Sequence, residues 1–99
     1  MSKLDSGMMQ IKCVEVAELL KSLAHPSRLM ITCYLSEGEK TVGELQELCD
    51  ISQSQLSQFL GRLYREGIVS SRREGQFSYY SIKSKDVLKM LESMQKIFC

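Results

Sequence analysis

Four cysteines are the residues of this 99-residue chain with the most versatile chemistry: Cys13, Cys33, Cys49 and Cys99. A thiolate is a nucleophile and a metal ligand, but no two of these residues form the CxxC pair found in zinc ribbons and thiol oxidoreductases. No histidine adjoins a cysteine, and no glycine-rich phosphate loop or pair of catalytic carboxylates is present. The pattern therefore indicates free thiols in a reducing compartment, no cofactor and no enzymatic site.

A second chemical signal is a run of amides and hydroxyls between Ser52 and Glu66. Its polar members are Gln53, Ser54, Gln55, Ser57, Gln58 and Arg62. Amides and hydroxyls can donate to and accept from base edges, and a guanidinium suits guanine or phosphate. A merely solvated helix face would normally show Glu and Lys four residues apart, and these are missing here. The run therefore favours contact with DNA.

The distribution of charge agrees with this interpretation. The net charge is only +1, but residues 1–51 contain five Lys/Arg against eight Asp/Glu, whereas residues 52–85 contain six Lys/Arg against two Asp/Glu. A basic segment in a near-neutral protein is typical of a phosphate-binding surface, although a solvated face of that charge is also common.

The composition predicts one soluble domain. Hydrophobic residues make up 43% and charged residues 25%, which is ordinary for a globular protein. Neither a membrane span nor a signal peptide is evident, so we expect a cytoplasmic protein. We divide the chain into a flexible N-terminal segment, 1–10, and a DNA-binding and dimerisation domain, 11–99.

Apolar spacing and capping residues predict five helices. The first runs from Ile11 to Ala24 and the second from Pro26 to about Ser36. The third follows Thr41, which has capping-box spacing with Glu44. The fourth runs from Ser52 to about Glu66 with Leu56, Leu60 and Leu63 on one face, and the last begins near Ser84. The first and last helices are apolar around much of their circumference, which favours a homodimer.

Residues 68–82 change to a β-type pattern and predict a hairpin with its turn at residues 74–76. Arg72, Arg73 and Gln76 of this hairpin are candidate DNA contacts, although the arginines could also simply keep an edge strand soluble. The order α-α-α-α-β-β-α is that of a winged helix-turn-helix, a mainly helical fold with a hairpin wing. Its recognition helix enters the major groove of double-stranded DNA, and a dimer binds a palindromic operator.

The segments 19–35 (LLKSLAHPSRLMITCYL) and 52–82 (SQSQLSQFLGRLYREGIVSSRREGQFSYYSI) resemble the ArsR family of bacterial repressors. The resemblance extends from about Val16 to Cys99. One departure is Phe59, where the family usually has a histidine.

Many ArsR proteins sense metals through cysteines on the third helix or through His and carboxylate ligands on the last helix. This chain has Thr41, Gly43 and Gln46 where the cysteine motif would fall, and its only histidine is His25. We therefore expect no metal site, and we interpret His25 as a helix-entry or packing residue.

The sequences TCYL and IFC resemble the sulfur-sensing branch of the family, which includes BigR, SqrR and HlyU. In that branch, reactive sulfur species or oxidants link two thiols by a disulfide or polysulfide, and DNA binding weakens. The resemblance implies that Cys33 and Cys99 form this redox-sensing pair, so that the protein is a repressor released by persulfide chemistry.

Two other interpretations stay open. In one, the protein is a constitutive ArsR-type DNA-binding protein and Cys33 is a core residue, as cysteines often are. In the other, it is a small thiol redox or sulfur-carrier protein that uses Cys99.

Overall fold

The computed structural model describes residues 3–99, which form five helices and a small antiparallel sheet. The elements are α1 (Ser6–Leu23), α2 (Pro26–Leu35), β1 (Lys40–Thr41), α3 (Val42–Cys49), α4 (Gln53–Arg65), β2 (Val69–Glu74), β3 (Phe77–Ile82) and α5 (Lys85–Phe98). This architecture confirms the predicted winged helix-turn-helix. No helix within these residues is both long enough and apolar enough to cross a membrane.

Side-chain caps define where α3 and α4 begin. Thr41 and Glu44 form the predicted capping box, in which each side chain accepts a hydrogen bond from the other residue's backbone N–H. The Ser52 hydroxyl accepts from the backbone N–H of Gln55 at 3.1 Å. Between the two helices, Asp50 adopts a left-handed conformation with φ 51°. These local contacts set the tight turn that joins the two helices.

The sheet has the order β1-β3-β2. In the hairpin, Val69 pairs with Ile82 and Glu74 with Phe77, and Gly75 takes φ 60° in the turn. The predicted element order lacked β1, which lies between α2 and α3. A strand of two residues is too short to show alternation in sequence, and it forms because β3 offers it a free edge.

The core lies between the helices and the base of the wing. The predicted apolar face of α4 is confirmed, since Leu56, Leu60 and Leu63 are buried. They belong to one cluster with residues of every other helix and of β2: Leu23, Ile31, Leu35, Leu45, Cys49, Val69, Val87 and Leu91. This cluster holds α4 in place by one face and leaves its other face in solvent.

Helix α1 differs from the prediction at its start. It begins at Ser6, five residues before Ile11, because the Asp5 side chain caps it by accepting from the backbone N–H of Met8 at 2.9 Å. The flexibility of segment 1–10 stays a prediction, and residues 1 and 2 lie outside the described part. Only Ser22 and Leu23 of α1 are buried. The radius of gyration is 15.1 Å, against about 13 Å for a compact chain of this size, so the protomer is elongated.

Candidate nucleic-acid interface and thiol cavity

The polar residues predicted to read bases all lie on α4 and are exposed. They are Gln53, Ser54, Gln55, Ser57, Gln58 and Arg62. The first of them occupy the N-terminal turns of the helix, the end that faces base edges in a helix-turn-helix. Arg62 is placed differently, because its Nε donates to Glu66 Oε1 at 3.1 Å within the same helix. The amides and hydroxyls are thus exposed, with the Gln55 side-chain oxygen accepting from the Ser52 hydroxyl at 3.4 Å, and Arg62 is half of an exposed ion pair.

Phe59 packs against the single histidine. The ring centroids of His25 and Phe59 lie 4.9 Å apart, and His25 Nδ1 accepts a hydrogen bond from the backbone N–H of Ser27 at 3.1 Å. His25 therefore caps α2 and also contacts α4. This confirms its interpretation as a helix-entry and packing residue.

The three wing residues predicted to contact DNA differ in their surroundings. Arg73 and Gln76 are exposed, and the described residues provide no ion pair for Arg73. Arg72 donates through Nε and Nη2 to both carboxylate oxygens of Glu39, at 2.9 and 2.7 Å, and through Nη1 to Glu74 at 2.7 Å. Its guanidinium carbon also lies 4.4 Å from the centre of the Tyr79 ring. Arg72 is thus occupied by protein groups, whereas Arg73 is free to meet a phosphate.

The four thiols lie in different environments. Cys49 is 5% exposed in the core, and burial raises the pKa of its thiol. Cys13 is exposed on α1. Cys33 is half-buried on α2, and Cys99 is exposed directly after α5. Cys99 is therefore accessible to solvent, whereas Cys49 is part of the core.

Cys33 and Cys99 line one cavity of about 560 Å³ between α2 and α5, which we call the thiol cavity. The rest of its lining is mostly apolar and consists of Pro26, Leu29, Met30, Tyr34, Glu37, Met94 and Gln95. Cys13 and Cys49 do not border this cavity. The structure therefore brings together the two thiols that the sequence resemblance paired and separates them from the other two.

Three effects act on the pKa of the Cys33 thiol. Burial raises the pKa above the ordinary value of 9.0, a hydrogen bond with the Gln95 side chain lowers it, and the neighbouring Cys99 thiol raises it. Gln95 Nε2 also donates to Ser36 Oγ at 2.9 Å. Gln95 was not among the functional residues predicted from the sequence. Its position one helical turn before Cys99 was the available signal, because residues four apart lie on the same face of a helix.

Metal binding finds no support in the geometry. Within residues 3–99, no three side chains of His, Cys, Asp or Glu approach closely enough to hold an ion.

Two helices joined by a tight turn, the second with exposed amides, and a basic hairpin beside them define a winged helix-turn-helix transcriptional regulator that binds DNA. The chain belongs to the ArsR family. The model of the arsR family of bacterial regulatory proteins matches residues 25–71. The biofilm growth-associated repressor of Agrobacterium fabrum is 46% identical over 91 residues, covering 92% of this chain and 78% of the relative. The protein is accordingly a regulator and not an enzyme.

Solved structures agree with the family. Reduced HlyU from Vibrio cholerae superimposes with a TM-score of 0.89 at 38% identity, covering 93% of this chain and 97% of that one. The homodimeric winged helix-turn-helix domain of Mb0332 from Mycobacterium bovis gives a TM-score of 0.77 at 28% identity, covering 98% of this chain and 89% of that one.

Proposed function

We propose that this protein is a homodimeric repressor that occupies a palindromic operator and leaves it when Cys33 and Cys99 become linked through sulfur. The observation that carries the proposal is the cavity between α2 and α5, which both thiols line. The similar biofilm growth-associated repressor from Agrobacterium fabrum supports a repressor. The similar HlyU from Vibrio cholerae is described in a reduced form, which agrees with a protein that has more than one redox state.

DNA reading is assigned to the exposed face of α4 and to the wing. The N-terminal amides and hydroxyls of α4 would contact base edges, with Arg62 at its far end, and Arg73 and Gln76 would meet the sugar-phosphate backbone. Arg72 would lie at the same surface, but its carboxylate partners offset its charge. Of the two wing arginines, Arg73 therefore provides most of the positive charge that is available to phosphates.

Dimerisation is assigned to α1 and α5. Val14 is 67% exposed, and Ile97 and Phe98 are 73% and 79% exposed. An apolar groove of about 330 Å³ separates α1 from α2 and α5, and it is lined by Leu20, Leu23, Ala24, Leu29, Met90, Leu91 and Met94. A second copy that covers these surfaces would remove apolar area from water and make the elongated protomer part of a compact dimer. The homodimeric Mb0332 domain supports this assembly.

The sulfur chemistry needs a donor of sulfane sulfur, and we assign this role to an organic or inorganic polysulfide. The thiolate of Cys99, the more exposed of the two, attacks a sulfur of the polysulfide, and the rest of the donor leaves as an anion, a hydropolysulfide from an inorganic donor or a thiolate from an organic one. The Cys33 thiol then loses its proton to solvent, and its thiolate attacks a sulfur of the chain now attached to Cys99. The part of the chain beyond the attacked sulfur leaves as hydrosulfide, a hydropolysulfide or an organic thiolate. The product is a disulfide or polysulfide bridge within one subunit. It can weaken DNA binding only by fitting the unbound arrangement of the dimer better than the bound one.

The test compares operator binding before and after treatment with a polysulfide, using an operator first selected from random duplexes by the reduced protein. Wild type should lose affinity by roughly 5- to 150-fold, the usual range of allosteric coupling. A peptide containing Cys33 should be joined to the C-terminal peptide, with the mass of the two reduced peptides less two hydrogens plus any inserted sulfurs.

Matched cysteine variants make the test specific. Cys33→Ser and Cys99→Ser should bind the operator when reduced and retain it after treatment, because one thiol cannot close a bridge. Cys13→Ser and Cys49→Ser should respond like wild type. Release that persists without Cys33 or Cys99 would show that the two are structural, and an absence of release in wild type would favour a constitutive regulator.

A further inference from the structure

Arg72 has more partners than any other exposed cation described in the wing. It forms a bidentate contact with Glu39, a second ion pair with Glu74 and a contact with the face of Tyr79. Isolated surface ion pairs contribute little, but a bidentate arginine within a network fixes a geometry. The hydrogen bonds with Arg72 lower the pKa of Glu39, so the pair is fully ionised at neutral pH.

This contact spans the whole sheet. Glu39 immediately precedes β1, whose Thr41 pairs with Tyr79 on the central strand β3, and Tyr79 pairs in turn with Arg72 on β2. The Glu39 carboxylate therefore reaches across β3 to Arg72, over the ring between them. We call this contact the wing clamp. It ties the hairpin to the loop that follows α2.

The same loop begins at the thiol cavity. Ser36 accepts a hydrogen bond from Gln95 of α5, and its hydroxyl donates to the backbone oxygen of Cys33 at 2.6 Å. Only Glu37 and Gly38 separate Ser36 from Glu39. A movement of α5 relative to the end of α2 would therefore pull on Ser36 and, through the short loop, displace Glu39.

We propose that Arg72 is a positioning residue, not a phosphate contact: its clamp with Glu39 holds the wing in its DNA-binding orientation and transmits the state of the thiol cavity to it. The first half needs only DNA binding by the reduced protein. The second half rests on the proposed sulfur response.

The Glu39→Gln variant distinguishes a positioning role of Arg72 from a phosphate contact, because the two roles predict opposite changes in affinity for DNA. If Arg72 contacted phosphate, removing a competing carboxylate would leave or raise affinity for DNA. If the clamp positions the wing, the reduced Glu39→Gln protein should bind its operator about 5-fold more weakly or worse. Its slope of log affinity against log salt concentration should also fall by roughly one unit, the part contributed by Arg73. Adding Arg73→Ala to Glu39→Gln should then cost less than Arg73→Ala costs alone.

Two controls keep the result interpretable. Glu47→Gln removes a carboxylate on the exposed surface of α3 that has no ion pair within residues 3–99, and it should leave affinity unchanged or slightly raised. The charge-exchanged double variant Glu39→Arg with Arg72→Glu should regain affinity relative to either single variant. Thermal unfolding of each protein shows whether it is folded.

The transmission half is tested by polysulfide treatment of the same proteins. Wild type should lose affinity, whereas Glu39→Gln, whose wing is already loose, should lose a much smaller factor. If reduced Glu39→Gln binds the operator as tightly as wild type, the wing clamp does not position the wing. If it binds weakly but responds to polysulfide as strongly as wild type, the wing clamp does not transmit the state of the thiol cavity. No response in wild type would refute the proposed function and with it the transmission, while the measurements on reduced protein would still decide the positioning role.

Discussion

Gln95 donates from Nε2 to Ser36 Oγ at 2.9 Å, and the same amide contacts the thiol of Cys33. One side chain of α5 thereby holds the end of α2 and stabilises the thiolate at the thiol cavity. Its replacement should alter the chemistry of Cys33 before any bridge forms.

The reactivity of Cys33 should depend on Gln95. Burial already raises the pKa of Cys33 above 9.0, and the Gln95 hydrogen bond opposes this. Gln95→Leu removes the donor, so the pKa should rise further and less thiolate should be present at pH 7. Alkylation rates measured from pH 6 to 10 should show the Cys33 profile displaced to higher pH. Cys13 in the same samples is the internal control, and an unmoved Cys33 profile would contradict the role of Gln95.

Base reading should depend on the first turns of α4. Gln53→Ala and Gln58→Ala should each relax preference at one base pair and cost about 1–3 kcal/mol there. Competition between the operator and its single-base variants measures this. Gln10→Ala, an exposed glutamine on α1, is the matched control. Full specificity in both α4 variants would refute the assignment of α4 as the recognition helix.

The two arginines of the wing should behave differently. Arg73→Ala should weaken binding to every sequence and reduce the slope of log affinity against log salt by roughly one, while Arg73→Lys, which keeps the charge, should restore most of both. Arg72→Lys keeps its charge but loses the bidentate contact, so it should resemble Arg72→Ala. Titrations at four salt concentrations separate these cases, and a full rescue by Arg72→Lys would identify Arg72 as a phosphate contact.

Dimer formation should require the apolar residues of α1 and α5. Leu20→Asp and Ile97→Asp place a charge on the proposed interface and should shift sedimentation towards monomer, because a buried carboxylate without a partner is costly. Leu48→Asp changes a leucine of similar exposure on α3, 43% against 50% for Leu20, and should remain dimeric. Dimers that persist in both interface variants would place the contact elsewhere.

Acid should weaken the start of α3. Hydrogen bonds from Thr41 hold the pKa of Glu44 below 4.5, so its stabilising effect is complete above pH 4.5 and is lost as pH falls through the lowered pKa. Glu44→Ala should therefore be less stable than wild type in urea unfolding at pH 7, and the difference should narrow towards pH 3. A constant difference across this range would show that the carboxylate charge does not matter.

The helices and the hairpin were predictable from the sequence because the interactions that form them are local. Capping pairs such as Thr41 and Glu44, the leucine spacing of α4 and the glycine of the wing turn act within a few residues, and each appears in the structure as predicted. The start of α1 was missed because its cap, Asp5, precedes the periodic apolar pattern.

Tertiary structure alone decided how distant residues meet. Strand β1 exists because β3 supplies its hydrogen bonds, and Glu39 reaches Arg72, 33 residues later, only after that sheet has formed. Gln95 lies 59 residues from Ser36 in sequence, yet the packing of α5 on α2 joins them. Sequence therefore determined which side chains could read DNA or carry sulfur. Long-range packing, which no local pattern encodes, determined which arginine stays free and which two of the four thiols share a cavity.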